Sequence, residues 1–276
     1  MNILNDGLLM GQILGGGRRP DPLRALIASL YGDGQQGAMF IPKPPVLGQQ
    51  VLFQDSDGTT PVTADGDPVG LMLDISGRGN HASQETSARR PIYRTDGSIS
   101  WVAGDGIDDG LVVPDYFVRD ADQFMSFAIR MGAPKLLRYL AGGDRDSYLG
   151  VILDEVAGQA RLRPYVRTTS GTDASDGAGR IATGQIAIIS LRWTRSTGLF
   201  ECYLDGQLDS SFSATPADIA PRATTSQYGL LYRTGSVDQP LNADLIGAVM
   251  VSGTVDDTLR ASAESYLSQL AGVTLP

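Results

Sequence analysis

Residues 51–84 read VLFQDSDGTTPVTADGDPVGLMLDISGRGNHASQ. Asp-Gly steps at Asp57-Gly58 and Asp65-Gly66 alternate with short apolar runs, so turns and strands follow one another quickly. The stretch closes on Leu73-Asp74-Ile75-Ser76-Gly77-Arg78-Gly79-Asn80-His81-Ala82, an apolar lead into a glycine-punctuated loop. About twenty residues on, Gly104-Asp105-Gly106-Ile107-Asp108-Asp109-Gly110 forms a second turn-rich segment between Ile99–Val102 and Gly110–Val113. A chain punctuated this densely builds short strands, not long helices.

Composition agrees. Glu occurs only at Glu85, Glu155, Glu201 and Glu264, so the acidity is almost all Asp, a turn and cap residue. There are 34 glycines, and 276 residues suffice for one sizeable all-β core plus an arm. A formal net charge of −9 argues against a nucleic-acid partner, which needs a basic face. No apolar run approaches the ~18 residues of a membrane span. The N-terminus MNILNDGLLMGQ has no basic segment ahead of its apolar residues, so no secretion signal is expected.

Along the chain, residues 1–34 read as an arm and a short helix, and 35–276 as the β domain. In the arm, Leu8, Leu9, Met10, Ile13 and Leu14 precede Gly15-Gly16-Gly17. Two readings stand: a tail in solvent, or an anchor that packs on a neighbouring subunit. Asp21-Pro22 starts a helix with Leu23, Leu26, Ile27 and Leu30 at helical spacing, and Gly32 stops it. On the anchoring reading all nine apolar residues face a partner, although the helix stripe would also fit the β domain. Strands are expected at Ala38–Ile41, Val69–Leu73, Gln123–Met131, Tyr139–Asp144, Tyr148–Leu153, Ala160–Arg167, Gln185–Trp193, Thr197–Leu204, Tyr228–Tyr232 and Asp244–Val251. Residues 168–180 read as a polar loop, Asp205-Gly206 as a positive-φ turn, and Asp256–Leu270 as a helix with Asp256 and Asp257 at its positive end.

The run from Leu73 to Ala82, followed by Gly104–Gly110, resembles the opening of concanavalin A-like, laminin-G-type jelly-roll domains. The longer run over residues 51–84 resembles a sequence recurrent in tailed-bacteriophage and prophage virion proteins that carry such a domain. The likeness is specific over residues 51–110 and looser, but in order, to the C-terminus. At Phe40-Ile41-Pro42-Lys43-Pro44 the chain departs from the phage pattern, which there carries a Trp followed by an acidic turn. The resemblance implies an antiparallel β-sandwich in a virion structural protein, such as a capsid decoration, tail or fibre component. It further implies assembly in the host cytoplasm, a homo-oligomer in the particle and contacts with other virion proteins through the N-terminal segment. It also invites a lectin-like role in attachment to host surface glycans, without implying an enzyme.

The residues narrow the chemistry. His81 is the only histidine, so it must serve in any His-dependent triad, and a histidine-rich zinc site is excluded. Cys202 is the only cysteine and sits in a strand-like run, as a buried thiol does. Glycoside hydrolysis needs two carboxylates across a sugar. No Glu-x-Asp-x-Glu strand exists, and the pairs Asp108/Asp109 and Asp144/Asp146 read as turn residues. Calcium prefers loop oxygens, for which Asp74, Asn80, Asp105, Asp108 and Asp109 are candidates; no other cofactor is expected. A sugar-binding face wants aromatic platforms, for which Tyr139, Tyr148, Tyr165, Trp193 and Tyr232 are candidates.

Overall fold

The computed structural model of the chain describes residues 21–114, 121–135, 138–143, 149–169, 171–216, 227–231 and 240–276. It begins with helix α1 (Pro22–Tyr31) and strand β1 (Gln36–Phe40). Short strands follow: β2 (Leu52–Phe53), β3 (Leu71–Met72), β4 (Ala82–Ser83), β5 (Ile92–Thr95), β6 (Ser100–Ala103) and β7 (Leu111–Val113). Longer ones come next: β8 (Gln123–Met131), β9 (Arg138–Gly143), β10 (Leu149–Val156) and β11 (Gln159–Thr168). The chain closes through β12 (Gly171–Ala174), β13 (Ile186–Thr194), β14 (Leu199–Leu204), β15 (Gln207–Ser213), β16 (Tyr228–Leu230), β17 (Ala243–Ser252) and helix α2 (Asp257–Leu270).

Among the described residues these strands make two antiparallel sheets. One runs β15-β14-β13-β8-β17-β6-β5, with β1 also paired to β17; the other runs β12-β11-β10-β9-β16-β7-β4-β3-β2. The β17 edge is shared: Asp244 and Leu245 pair with β6, while Ala248–Ser252 pair with β1. The sheets enclose one large apolar core, to which Met125, Phe127, Leu162, Leu191, Trp193, Tyr228 and Met250 belong. The result is an all-β sandwich, as the turn-rich sequence leads one to expect. Residues 168–180 are not wholly loop: Gly171–Ala174 adds β12 to the edge of β11, where the ladder partner overrides a polar sequence.

The central strands β8 and β17 are buried over almost their whole length. That follows from a third layer, because α2 packs on the eight-stranded sheet opposite the other sheet. The positions beneath it are small, with Ala128 opposite Gly247 and Ser126 opposite Ser190 in register. The two serines share a buried 2.8 Å hydrogen bond.

Helix α1 starts as its sequence dictates: the Asp21 carboxylate accepts from the amides of Leu23 and Arg24. Its stripe corrects the anchoring expectation. Leu23, Leu26, Leu30 and Tyr31 are buried in the core of this same chain, and Ile27 packs against that core. The Tyr31 hydroxyl donates to the carbonyls of Ala38 and Met250, and Arg78 Nη2 donates to the Tyr31 carbonyl. An apolar stripe finds the nearest apolar surface, here the sandwich, so a boundary at residue 34 does not set α1 apart. Leu8, Leu9, Met10, Ile13 and Leu14 lie outside the described residues.

Candidate functional site

Asp74 sits at the centre of the first glycine-punctuated turn. Its Oδ1 accepts from the amides of Met39 (2.9 Å) and Ser76 (2.8 Å), and its Oδ2 from Ser76 Oγ (2.8 Å) and the Asn80 amide (3.1 Å). Asn80 Nδ2 donates to the Gly37 carbonyl. Both side chains are thus engaged in tying the loop to β1. His81 Nδ1 accepts from the Asp74 amide at 3.0 Å, a loop-packing role.

The second loop does gather its carboxylates. Among the described residues, Asp105, Asp108 and Asp109 are the one His/Cys/Asp/Glu group with ligand atoms all within 4.8 Å of one another. Asp105 Oδ1 accepts from the amides of Ile107, Asp108 and Asp109, and Asp109 Oδ2 accepts from the Asp105 amide. Burial, and then the Asp105 charge, push the Asp109 carboxyl up to about 6. Lys135 Nζ donates to the Gly106 carbonyl and Arg89 pairs with Asp108 at 3.5 Å, so two protein cations already offset the cluster.

The aromatic candidates divide. Trp193 is 2% exposed and its ring lies 5.9 Å from that of Phe200, which stacks on Phe212. Tyr165 is 6% exposed and packs with Ile152, and a Cβ at Gly150 would stand 2.7 Å from its ring and hydroxyl. Neither offers an open ring face, because strand alternation turns Trp193 into the core and close packing on Gly150 covers Tyr165. Tyr139 is placed by its backbone on β9, opposite Ile152. Tyr148 and Tyr232, like Asp144 and Asp146, lie outside the described residues.

A polar pocket lies at one end of the eight-stranded sheet. A cavity of about 270 Å³ opens where β8 begins, β13 ends and the chain enters α2. Its lining includes Asp122, Gln123, Arg192, Thr194, Thr254 and Asp256, together with Trp193 and Val255. Asp122 accepts from the Arg195 amide (2.8 Å) and Thr254 Oγ1 (2.9 Å), which locks its carboxylate plane. Asp256 Oδ1 caps α2 through the Leu259 amide at 2.8 Å. Arg192 is held by Glu201 (2.8 Å), Asp257 (2.8 Å) and the Tyr203 hydroxyl (3.1 Å). Arg260 stacks 4.0 Å from the Tyr203 ring and bonds Glu264 at 2.7 Å, pinning α2 to the sheet beside the pocket. Burial and the Glu201 hydrogen bond push the Tyr203 phenol up to about 12. The residues that line the pocket therefore carry two carboxylates, a guanidinium, an amide and two hydroxyls, and most of these groups are held by protein partners.

Its members come from three distant stretches. Register unites them: Gln123 stands opposite Trp193 on one side and Ser252 on the other. In sequence Asp122 and Asp256 look like ordinary strand-end and cap residues, so the only local signal was their polarity.

No protein-family model matches the chain, and no curated protein matches it in sequence. Solved structures do resemble it. A Trypanosoma rangeli sialidase in complex with 2,3-difluorosialic acid aligns with a TM-score of 0.52 at 15% identity, over 75% of this chain and 32% of that one. The binding domain of Paraclostridial Mosquitocidal Protein 1 gives 0.51 at 13% identity, over 71% and 49%. The botulinum neurotoxin serotype D ligand-binding domain, in complex with N-acetylneuraminic acid, gives 0.58 at 9% identity, over 87% and 52%. The chain thus spans about a third of the sialidase and about half of each toxin chain. At these identities the likeness is one of fold alone.

Proposed function

We propose that this chain is a non-enzymatic carbohydrate-binding β-sandwich, carried on a tailed-bacteriophage particle, and that the pocket at the entry to α2 takes a sugar. The observation that carries the sugar reading is the lining. Rigidly held carboxylates beside a guanidinium, an amide and hydroxyls match the adjacent donor–acceptor pairs of a sugar's hydroxyl groups. Two of the fold neighbours were solved with sialic-acid compounds bound, which supports glycans as the ligand class. With Trp193 buried, recognition rests on hydrogen bonds and not on ring stacking.

The test is glycan-array screening of the purified chain, followed by calorimetry on any hit. Thr254 is exposed at the pocket, so Thr254→Trp closes the mouth while leaving the fold. Saturable binding that this variant loses is the expected result. Absence of any glycan ligand, or binding indifferent to the variant, overturns the site. Release of reducing ends from host capsule or cell-wall glycans overturns the non-enzymatic reading.

The particle context rests on the sequence resemblance over residues 51–110. In that setting the chain joins other virion proteins and copies of itself. A low-resolution map of the particle, with this chain labelled, places it on head, tail or tip; a particle that lacks it overturns the assignment.

A further inference from the structure

Helices α1 and α2 leave a groove of about 630 Å³ between them on the outer surface. Leu26, Leu259 and Tyr266 line it, and Ala25, Ser29 and Ala261 stand around them. Among the described residues no charged side chain lines the groove, although the whole chain carries a net charge of −9. Small side chains flanking apolar ones admit the close approach of another helix, whose axis then packs about 8–10 Å away.

The chain itself supplies a matching segment. From Gly7 to Gly17 it carries no charge, and Leu9, Met10, Ile13 and Leu14 recur at a spacing that puts them on one helical face. Six residues, Gly15 to Pro20, separate Leu14 from Asp21. Extended, they span roughly 20 Å. Helix α1 is ten residues long, about 15 Å. The tether therefore suffices to reverse the chain, and its length falls in the range of helix–helix connections. Three consecutive glycines accept the positive φ values such a reversal needs. It also starts at the right place. Asp21 caps α1, Pro22 lines the groove, and the Asp21 charge is felt by the Tyr266 phenol across it.

We propose that Leu8–Leu14 of the same chain seat in this groove, with Leu9, Met10, Ile13 and Leu14 against Leu26, Leu259 and Tyr266. A tether this short gives an effective concentration in the millimolar range, which favours the chain's own arm over that of a second copy in dilute solution.

The test uses the full-length chain at micromolar concentration. Ala261→Cys is combined in turn with Leu9→Cys, Met10→Cys and Ile13→Cys, and a short bismaleimide is added. The native Cys202 is buried and stays silent. Intramolecular crosslinking as the main product in at least two of the three pairs is the expected result. Dimeric products in its place mean that the groove takes the arm of a second copy, and overturn the proposal. Failure of all three pairs to crosslink, while both thiols label with a monofunctional maleimide, overturns it as well.

Discussion

Gly247 and Leu267 meet where α2 crosses the eight-stranded sheet: a Cβ on Gly247 would stand 2.8 Å from Leu267 Cδ2 and 3.4 Å from Leu270 Cδ1. The missing side chain is what lets the helix lie this close. Gly247 also sits at the irregularity in the β17–β8 ladder, between Leu245 and Ala248. Gly247→Val overfills this contact and should cost about 1–3 kcal/mol. Adding Leu267→Ala should return part of that loss, because it vacates the space the valine needs. Chemical denaturation of the two single variants and the double measures the coupling, and strict additivity would count against the contact.

Asp74 holds four donors at once, and three of them are backbone amides, of Met39 in β1 and of Ser76 and Asn80 in its own loop. Each buried donor left without a partner costs about 1–3 kcal/mol. Asp74→Ala should therefore lower stability by more than about 3 kcal/mol. His81→Ala removes one acceptor on an exposed residue and should cost far less. Equal urea midpoints for the two variants would contradict this account of the loop.

The Asp109 carboxyl is raised to about 6, against about 3.9 in an unfolded chain. Between these values the folded state holds a proton that the unfolded state has released. Stability from this group is therefore greatest below pH 4 and falls as pH rises through 6. In chelator, Asp109→Asn should melt above wild type at pH 7.5 and close to it at pH 4. If the three carboxylates bind calcium, added calcium should stabilise wild type and not this variant. A melting temperature unmoved by calcium or chelator removes the metal and leaves the turn role of Asp105. Asp105→Ala should then still lower melting, because three amides lose their acceptor.

The two parts of the N-terminal region should behave differently on truncation. Leu30 is fully buried and Tyr31 nearly so. Leu30→Ala alone should cost about 2–5 kcal/mol. Deletion of residues 1–34 should abolish cooperative melting, since it takes Leu23, Leu26, Leu30 and Tyr31 out of the core. Deletion of residues 1–14 should leave a cooperative transition. A folded product from the longer deletion would mean that α1 is dispensable to the core.

What the residues determined on their own was local. Asp205-Gly206 closes the β14–β15 hairpin with φ of 51° and 83°, the pair of positive values that an Asp-Gly turn selects. Asp21 caps its helix where the sequence places it, and Asp256, expected in the first turn of the last helix, is that helix's cap. The long apolar runs at 123–131 and 243–252 became the strands β8 and β17 at the centre of a sheet. Each of these outcomes depends on neighbours within a few positions, so it is written in the chain. Tertiary structure decided the rest. Gly171–Ala174 is a strand only because β11 offers it an edge. Trp193 and Tyr165 are buried because register and close packing, not residue type, choose the face they occupy. The pocket exists because β8 lies between β13 and β17, which brings Asp122 beside Thr254 and Asp256 across more than a hundred residues of chain. Strand pairing between distant segments sets those distances, and no local pattern encodes which segments will pair.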